Sequence, residues 1–331
     1  MTDDISLTGW IEQDGRVLRR ADIAEALSEG YGWLKSCGGE FFLAWDGGCA
    51  RDSMGIVQGG CGPGEIIVDG AVIGRVSPEP PSQPLADAIE TAVRLRNSEG
   101  VVAFSGGVDS ALIAAIADLP CVTVGIEGSH DLMHAARVAE EIGLDHTYVI
   151  VQPDEVKTAL RGVMQVIPRR TPVDASIAAT LFFAARWAGE NGHRRILAGQ
   201  GADELFGGYA RYLETDDMEG LFREDFEGLR IQSARDQSVA GLFGCTLSCP
   251  YLDSRVVRAA GAIPSAERVS GGVRKRPLRR VALRYLPAEI ACYEKKAMQY
   301  GSGIWKVVQR CARNNGYKNS VQGYINQLSR A

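Results

Sequence analysis

Ser105-Gly106-Gly107-Val108-Asp109-Ser110 decides the fold. A short β-rich apolar run, Val101-Val102-Ala103-Phe104-Ser105, precedes the glycines, and residues 111–117 continue in a helical pattern. A strand that turns through two glycines into a helix presents free backbone N–H groups to an anion. The glycines allow a phosphate close to the backbone, the two serines add hydroxyl donors, and Asp109 can hold a magnesium ion. The stretch is not a Walker A loop, because the Gly-Lys-Ser/Thr ending is missing.

Outward from this loop, apolar and helical runs alternate. Residues 85–96 read as a helix, 101–105 as a strand, 109–117 as a helix, 121–126 as a strand, 131–142 as a helix and 146–151 as a strand. A helix near 175–190 and a short strand at 195–197 follow. This alternation predicts an α/β protein with a parallel sheet covered by helices on both faces. Beyond about residue 215 the pattern turns mostly helical. The segment 77–84 holds four prolines in eight residues and reads as a semi-rigid linker. Before it lies a Gly-rich, β-rich stretch with strand-like runs at 41–45, 55–57 and 66–68. The expected division is therefore a small β-rich domain at 1–76, a linker at 77–84 and an α/β domain with a helical C-terminal part at 85–331.

Composition narrows the classes. At 331 residues, with 45% hydrophobic and 23% charged content, the chain carries enough apolar residues for a sizeable core. The net charge is −5, and the basic residues cluster only at Arg274-Lys275-Arg276 and Arg279-Arg280, which disfavours a nucleic-acid partner. The apolar stretch at 175–188 is too short and interrupted to span a bilayer, and the N-terminus lacks a signal-peptide pattern. A cytoplasmic protein with no membrane partner is expected. The eight cysteines form no C-x-x-C pair and read as reduced thiols. His130 and His134, four apart, have no further ligands in sequence and read as helix surface.

A second stretch, Leu197-Ala198-Gly199-Gln200-Gly201-Ala202-Asp203-Glu204-Leu205-Phe206-Gly207-Gly208-Tyr209, again follows a short strand and again sets acids behind glycines. Two carboxylates, Asp109 and Asp203, at two strand ends would meet at the C-terminal edge of the sheet, where open parallel sheets bind ligands. Hard oxygen ligands beside a phosphate cradle suit Mg²⁺. Asp203 also suits a helix N-terminus, and Glu204 reads as structural.

Together these stretches resemble the synthetase domain of the asparagine synthetase family, within the N-type ATP pyrophosphatases. Val124-Gly125-Ile126-Glu127-Gly128-Ser129-His130-Asp131-Leu132, Pro250-Tyr251-Leu252-Asp253 and Lys295-Lys296-Ala297-Met298-Gln299-Tyr300-Gly301-Ser302-Gly303 agree with it in order. The resemblance implies an adenine nucleotide α-hydrolase-like fold and an ATP-dependent, AMP-forming ligase. It places Ser105, Gly106, Gly107, Asp109 and Ser110 on pyrophosphate, Asp109 and Asp203 on Mg²⁺, and backbone near Ala103, Val124 and Gly199 beside the nucleoside. Lys295 would neutralise charge developing on the phosphates. The simplest implied reaction joins aspartate and ammonia. Alternatives are an amidotransferase or β-lactam-forming relative acting on another carboxylic acid, and a nucleotide-binding regulator without turnover.

Departures from the family matter as much. Gly39–46 and 50–56 resemble fragments of the family's glutaminase domain, yet Thr2 follows Met1 and the first cysteine is Cys37. A truncated glutaminase-like remnant is expected, with ammonia as the nitrogen donor; a separate glutaminase subunit and a homo-oligomer are compatible with the sequence. Gln200 stands where asparagine-forming relatives carry Glu, and an amide cannot take a proton from an attacking amine. Residues 174–177 also lack the Thr-Thr-x-Arg of the family, although Arg169 and Arg170 lie just upstream.

Overall fold

The computed structural model describes residues 5–294, 298–318 and 320–329. Two compact units emerge, and they interleave along the chain. One comprises Met1–Arg96, Gln200–Ser233 and Ser248–Arg274; the other comprises Asn97–Gly199, Ala234–Leu247 and Lys275–Ala331.

The first unit carries a six-stranded antiparallel sheet. Its strands are β1 (Ser6–Gln13), β2 (Arg16–Val17), β3 (Gly38–Trp45), β4 (Gly48–Arg51), β5 (Glu65–Val68) and β6 (Ala71–Arg75), in the order β2-β1-β3-β4-β5-β6. The period-two pleat of β3 sends Phe41 and Leu43 to one face, where they pack with Ile11, Ile23, Leu34 and Ile66. Glu40 points the other way and is nonetheless 3% exposed at its side chain. A carboxylate is stable there only if fully paired. It receives Trp10 Nε1 at 3.2 Å, Arg96 Nε at 3.0 Å and the Cys249 amide at 2.7 Å, with the Ser248 hydroxyl also donating. Arg96 continues the network to Asp253 at 3.0 Å.

The strand expected at 55–57 is a loop instead. The Gly55 amide turns back to the Asp52 carbonyl, and side chains rather than a neighbouring strand take further backbone bonds. The amides of Ile56 and Val57 donate to the Asp52 carboxylate, while the Arg51 guanidinium donates to the carbonyls of Gly55, Val57 and Cys61.

The second unit is built on β7 (Val101–Ala103), β8 (Cys121–Ile126), β9 (His146–Val151) and β10 (Arg195–Leu197); with β11 (Thr246–Ser248) they form a five-stranded sheet ordered β11-β10-β7-β8-β9. The β10–β7, β7–β8 and β8–β9 pairs are all parallel. Parallel neighbours need crossovers, supplied by the helices Val108–Ala117 and His130–Ile142. The helices Glu155–Val166 and Pro172–Glu190 also flank this sheet unit. The latter starts at Thr171, whose hydroxyl accepts the Asp174 amide, with Pro172 in the first turn. Among the described residues no helix is long and apolar enough to cross a membrane.

Candidate active site

The loop after β7 folds as its residues dictate. Gly106 takes φ +71°, open to glycine and strained for other residues. Gly107 is the N-cap of Val108–Ala117 and makes no side-chain cap bond, so the first-turn amides are not closed off by their own cap. Two hydroxyls meet beneath them: Ser105 Oγ and Ser110 Oγ lie 2.9 Å apart, and the Ser105 amide donates to Ser110 Oγ at 3.1 Å. Ser110 Oγ is also 3.2 Å from the Gly107 carbonyl. The loop is thus held from inside by hydroxyls.

Asp109 projects from the first turn of this helix. Both its oxygens receive Lys275 Nζ, at 2.8 and 2.7 Å. Lys275 is buried, sits at the N-cap of the helix Arg276–Ala282 and holds φ +55°, a left-handed conformation unusual for a long side chain. Sequence reasoning saw Lys275 only as part of a basic cluster. No local signal marks it, since its partner is 166 residues away.

Gly199 passes so near this turn that an added Cβ would lie 3.0 Å from Asp109 Cβ. Val124 is buried on β8 and Ala103 ends β7. The second unit therefore brings Ala103, Ser105, Gly106, Gly107, Asp109, Ser110, Val124 and Gly199 onto β7, β8, the first turn after β7 and the end of β10. Gln200 and Asp203 belong to the first unit. Gly201 there holds φ +89° as N-cap of Ala202–Phe206, so Asp203 lies in the first turn of that helix and is not its cap. Next to it Glu204 is buried and accepts Tyr209 Oη and Gln232 Nε2. Burial, then the Asp203 charge, push its carboxyl above the ordinary range. Lys295 lies outside the described residues.

Two further findings correct or extend the sequence reading. His134, expected on the helix surface, is 7% exposed, and its Nε2 lies 3.1 Å from the Gly106 carbonyl. The reason is packing: a Cβ on Gly106 would meet Ala135 Cα at 3.1 Å, so His130–Ile142 runs directly against the loop. Asp174, where the family carries Thr-Thr-x-Arg, is buried and holds Arg169 Nε at 2.6 Å, Thr171 Oγ1 at 2.6 Å and Arg235 Nη1 at 2.9 Å. Burial raises its pKa, but these donors outweigh burial and hold it below the ordinary carboxylate range.

The sequence matches the asparagine synthase family over residues 84–238 and 235–327. A Methanocaldococcus jannaschii protein assigned as a glutamine-hydrolysing asparagine synthetase is 32% identical over 290 residues, covering 74% of this chain and 53% of its own. The glutamine-hydrolysing asparagine synthetase B of Escherichia coli is 26% identical over 246 residues, 67% of this chain and 44% of its own. The chain thus spans about half the length of the curated relatives it matches. Among solved structures, NMN synthetase from Francisella tularensis aligns with 72% of this chain and 98% of its own, at 12% identity and a TM-score of 0.29.

Proposed function

Because the chain belongs to the asparagine synthase family, we propose that it is a cytoplasmic, ATP-dependent ligase that forms an amide and releases AMP. A carboxylate attacks the α-phosphorus of ATP, giving an acyl-adenylate and pyrophosphate. An amine then attacks the acyl carbon, and AMP leaves. The simplest substrate pair is aspartate and ammonia, giving asparagine.

One observation carries this reading: a diglycine turn whose helix N-terminus has no side-chain cap, with two serine hydroxyls beneath it and a lysine–aspartate pair on its first turn. Amides and hydroxyls there would take the β- and γ-phosphate oxygens as donors. Backbone at Ala103, Val124 and Gly199 would border the nucleoside. Lys275, and Lys295 by family resemblance, would offset charge as pyrophosphate departs.

Magnesium fits the donors present. The described residues hold no group of three or more His, Cys, Asp or Glu placed around a metal, but Mg²⁺ bound with a nucleotide needs only one or two carboxylates plus phosphate oxygens. Asp109 would hold it, sharing its oxygens with Lys275. When bound, the ion would neutralise phosphate charge.

The domain reading of 1–76, 77–84 and 85–331 places this chemistry in the last segment, with ammonia as the nitrogen donor. Cys37 is unsuited to act as a glutaminase nucleophile: it is fully buried, and burial, aided by Glu12 and Asp14, pushes its thiol up to about 12, far from a thiolate. A different carboxylic acid is the second reading. It is favoured by Asp174, which pairs with Arg169 at the position where relatives carry Thr-Thr-x-Arg.

Protein, MgATP, aspartate and ammonia should yield AMP, pyrophosphate and asparagine in equal amounts, and Asp109→Ala should abolish AMP. AMP formed only with another acid selects the second reading. No AMP across a broad panel of acids refutes the ligase.

A further inference from the structure

We propose that His134 is a positioning residue of the phosphate loop, its Nε2–H holding the Gly106 carbonyl so that the Gly107 amide faces the bound pyrophosphate group. The inference rests on the ATP reading of that loop.

The peptide between Gly106 and Gly107 is the weak point of the cradle. Two glycines flank it, so neither side chain opposes a flip that would exchange the directions of its carbonyl and N–H. A planar trans peptide sends its C=O and N–H to opposite sides. Whatever grips the Gly106 carbonyl therefore aims the Gly107 amide. That grip is His134 Nε2, 3.1 Å away. A carbonyl oxygen only accepts, so Nε2 is the donor and carries the proton. On the other side, the Gly107 amide reaches Ser105 Oγ at 3.4 Å, longer than an ordinary N–H···O bond. It points into the hydroxyl-lined side of the loop and remains available to a stronger acceptor.

The imidazole is itself held. Its ring stacks on Tyr293 with centroids 4.0 Å apart and planes 22° from parallel. Tyr293 Oη is 3.0 Å from His130 Nε2, and His130 stacks on His134 at 5.7 Å. Two histidines one turn apart and one tyrosine thus fix the plane of a ring whose edge meets the loop. No substitution at Gly106 could stiffen the loop instead, because a Cβ there would lie 2.8 Å from His134 Cδ2 and 3.1 Å from Ala135 Cα. The hydroxyls hold the rest of the loop from inside, but the Gly106 carbonyl has to be held from outside it.

The unmodified protein allows a first test. Long-range ¹⁵N–¹H spectra of labelled histidine should show His134 protonated at Nε2; a neutral ring protonated only at Nδ1 overturns the proposal. His134→Phe keeps a stacking ring and removes the donor, and His134→Gln restores an N–H donor. By calorimetry, H134F should bind MgATP about tenfold more weakly than wild type, the cost of leaving a buried carbonyl unsatisfied. H134Q should recover most of that loss. In the AMP assay KM for ATP should rise while KM for the acid stays unchanged, a split that a general loss of packing would not produce. H134F binding MgATP as tightly as wild type overturns the proposal, as does equal loss in H134F and H134Q with both folded. Wild-type protein that binds no MgATP refutes the reading of the loop itself, while the tautomer still reports on the His134–Gly106 bond.

Discussion

Lys275→Ala is expected to damage AMP formation far more than it damages the fold. The ammonium lies 2.8 and 2.7 Å from the two Asp109 oxygens, and the side chains are 10% and 26% exposed. At about 3 Å and an effective dielectric of about 20, the gross attraction is about 5–6 kcal/mol. Desolvation of a buried ammonium offsets most of it, leaving a net contribution of about 1–3 kcal/mol. The backbone works against the residue: φ +55° costs a non-glycine residue about 1–2 kcal/mol. Lys275→Gly loses the same ammonium but relieves that strain, so it should be about 1 kcal/mol more stable than Lys275→Ala in urea unfolding. Activity should not follow stability. Both variants lack the charge aimed at the first turn of the phosphate loop, so both should lose about 10²–10³-fold in turnover, measured as pyrophosphate release. Lys275→Ala turning over within about threefold of wild type would refute the charge argument, and Lys275→Gly less stable than Lys275→Ala would refute the strain argument.

Gln200→Glu supplies a carboxylate where this chain has an amide; ammonia-dependent turnover should rise, with a general base worth at most about 10²–10⁴-fold, and an unchanged or lower rate in the AMP assay counts against a missing base. Arg96→Met leaves Glu40 and Asp253 buried without their shared guanidinium, so urea unfolding should show a loss of about 3–5 kcal/mol; less than about 1 kcal/mol would mean the network is not held by charge. Asp174 has a pKa lowered on folding, so the folded state binds fewer protons than the unfolded one and stability rises with pH. Its contribution is present above about pH 4 and lost as pH falls further, so wild-type stability should drop more steeply than that of Asp174→Asn between about pH 5 and 3; parallel curves would refute this.

The strands at 121–126, 146–151 and 195–197 were legible to the residue, because parallel strands read as short continuous apolar runs bounded by turns. Strand β1 was not. Its sequence, Ser6 to Gln13, mixes polar residues with a glycine at φ +85°, and its identity as a strand comes from pairing with β3 some thirty residues on. The helix Glu155–Val166 carries a readable apolar stripe at Val156, Ala159, Leu160 and Val163, and Gln152-Pro153-Asp154 marks its start.

The site divides along the same line. An anion cradle made of amides is a local object: glycine spacing, flanking strand and following helix all lie within about ten residues, inside any window that reads periodicity. What sets the charge and orientation of that cradle is not local. The partner of Asp109 is 166 residues away and the donor to Gly106 is 28 residues away. In sequence the first looks like one lysine among arginines, and the second like one of two histidines on a polar helix face. A window reaching the first would span half of the chain, and both lie beyond any window that reads periodicity, so only the packed helices Arg276–Ala282 and His130–Ile142 could reveal them. Residues that tune the site from such distances can change between relatives while the loop motif stays intact. Variation in substrate or rate within this family is therefore to be sought at positions such as 134, 174 and 275 as well as in the loop itself.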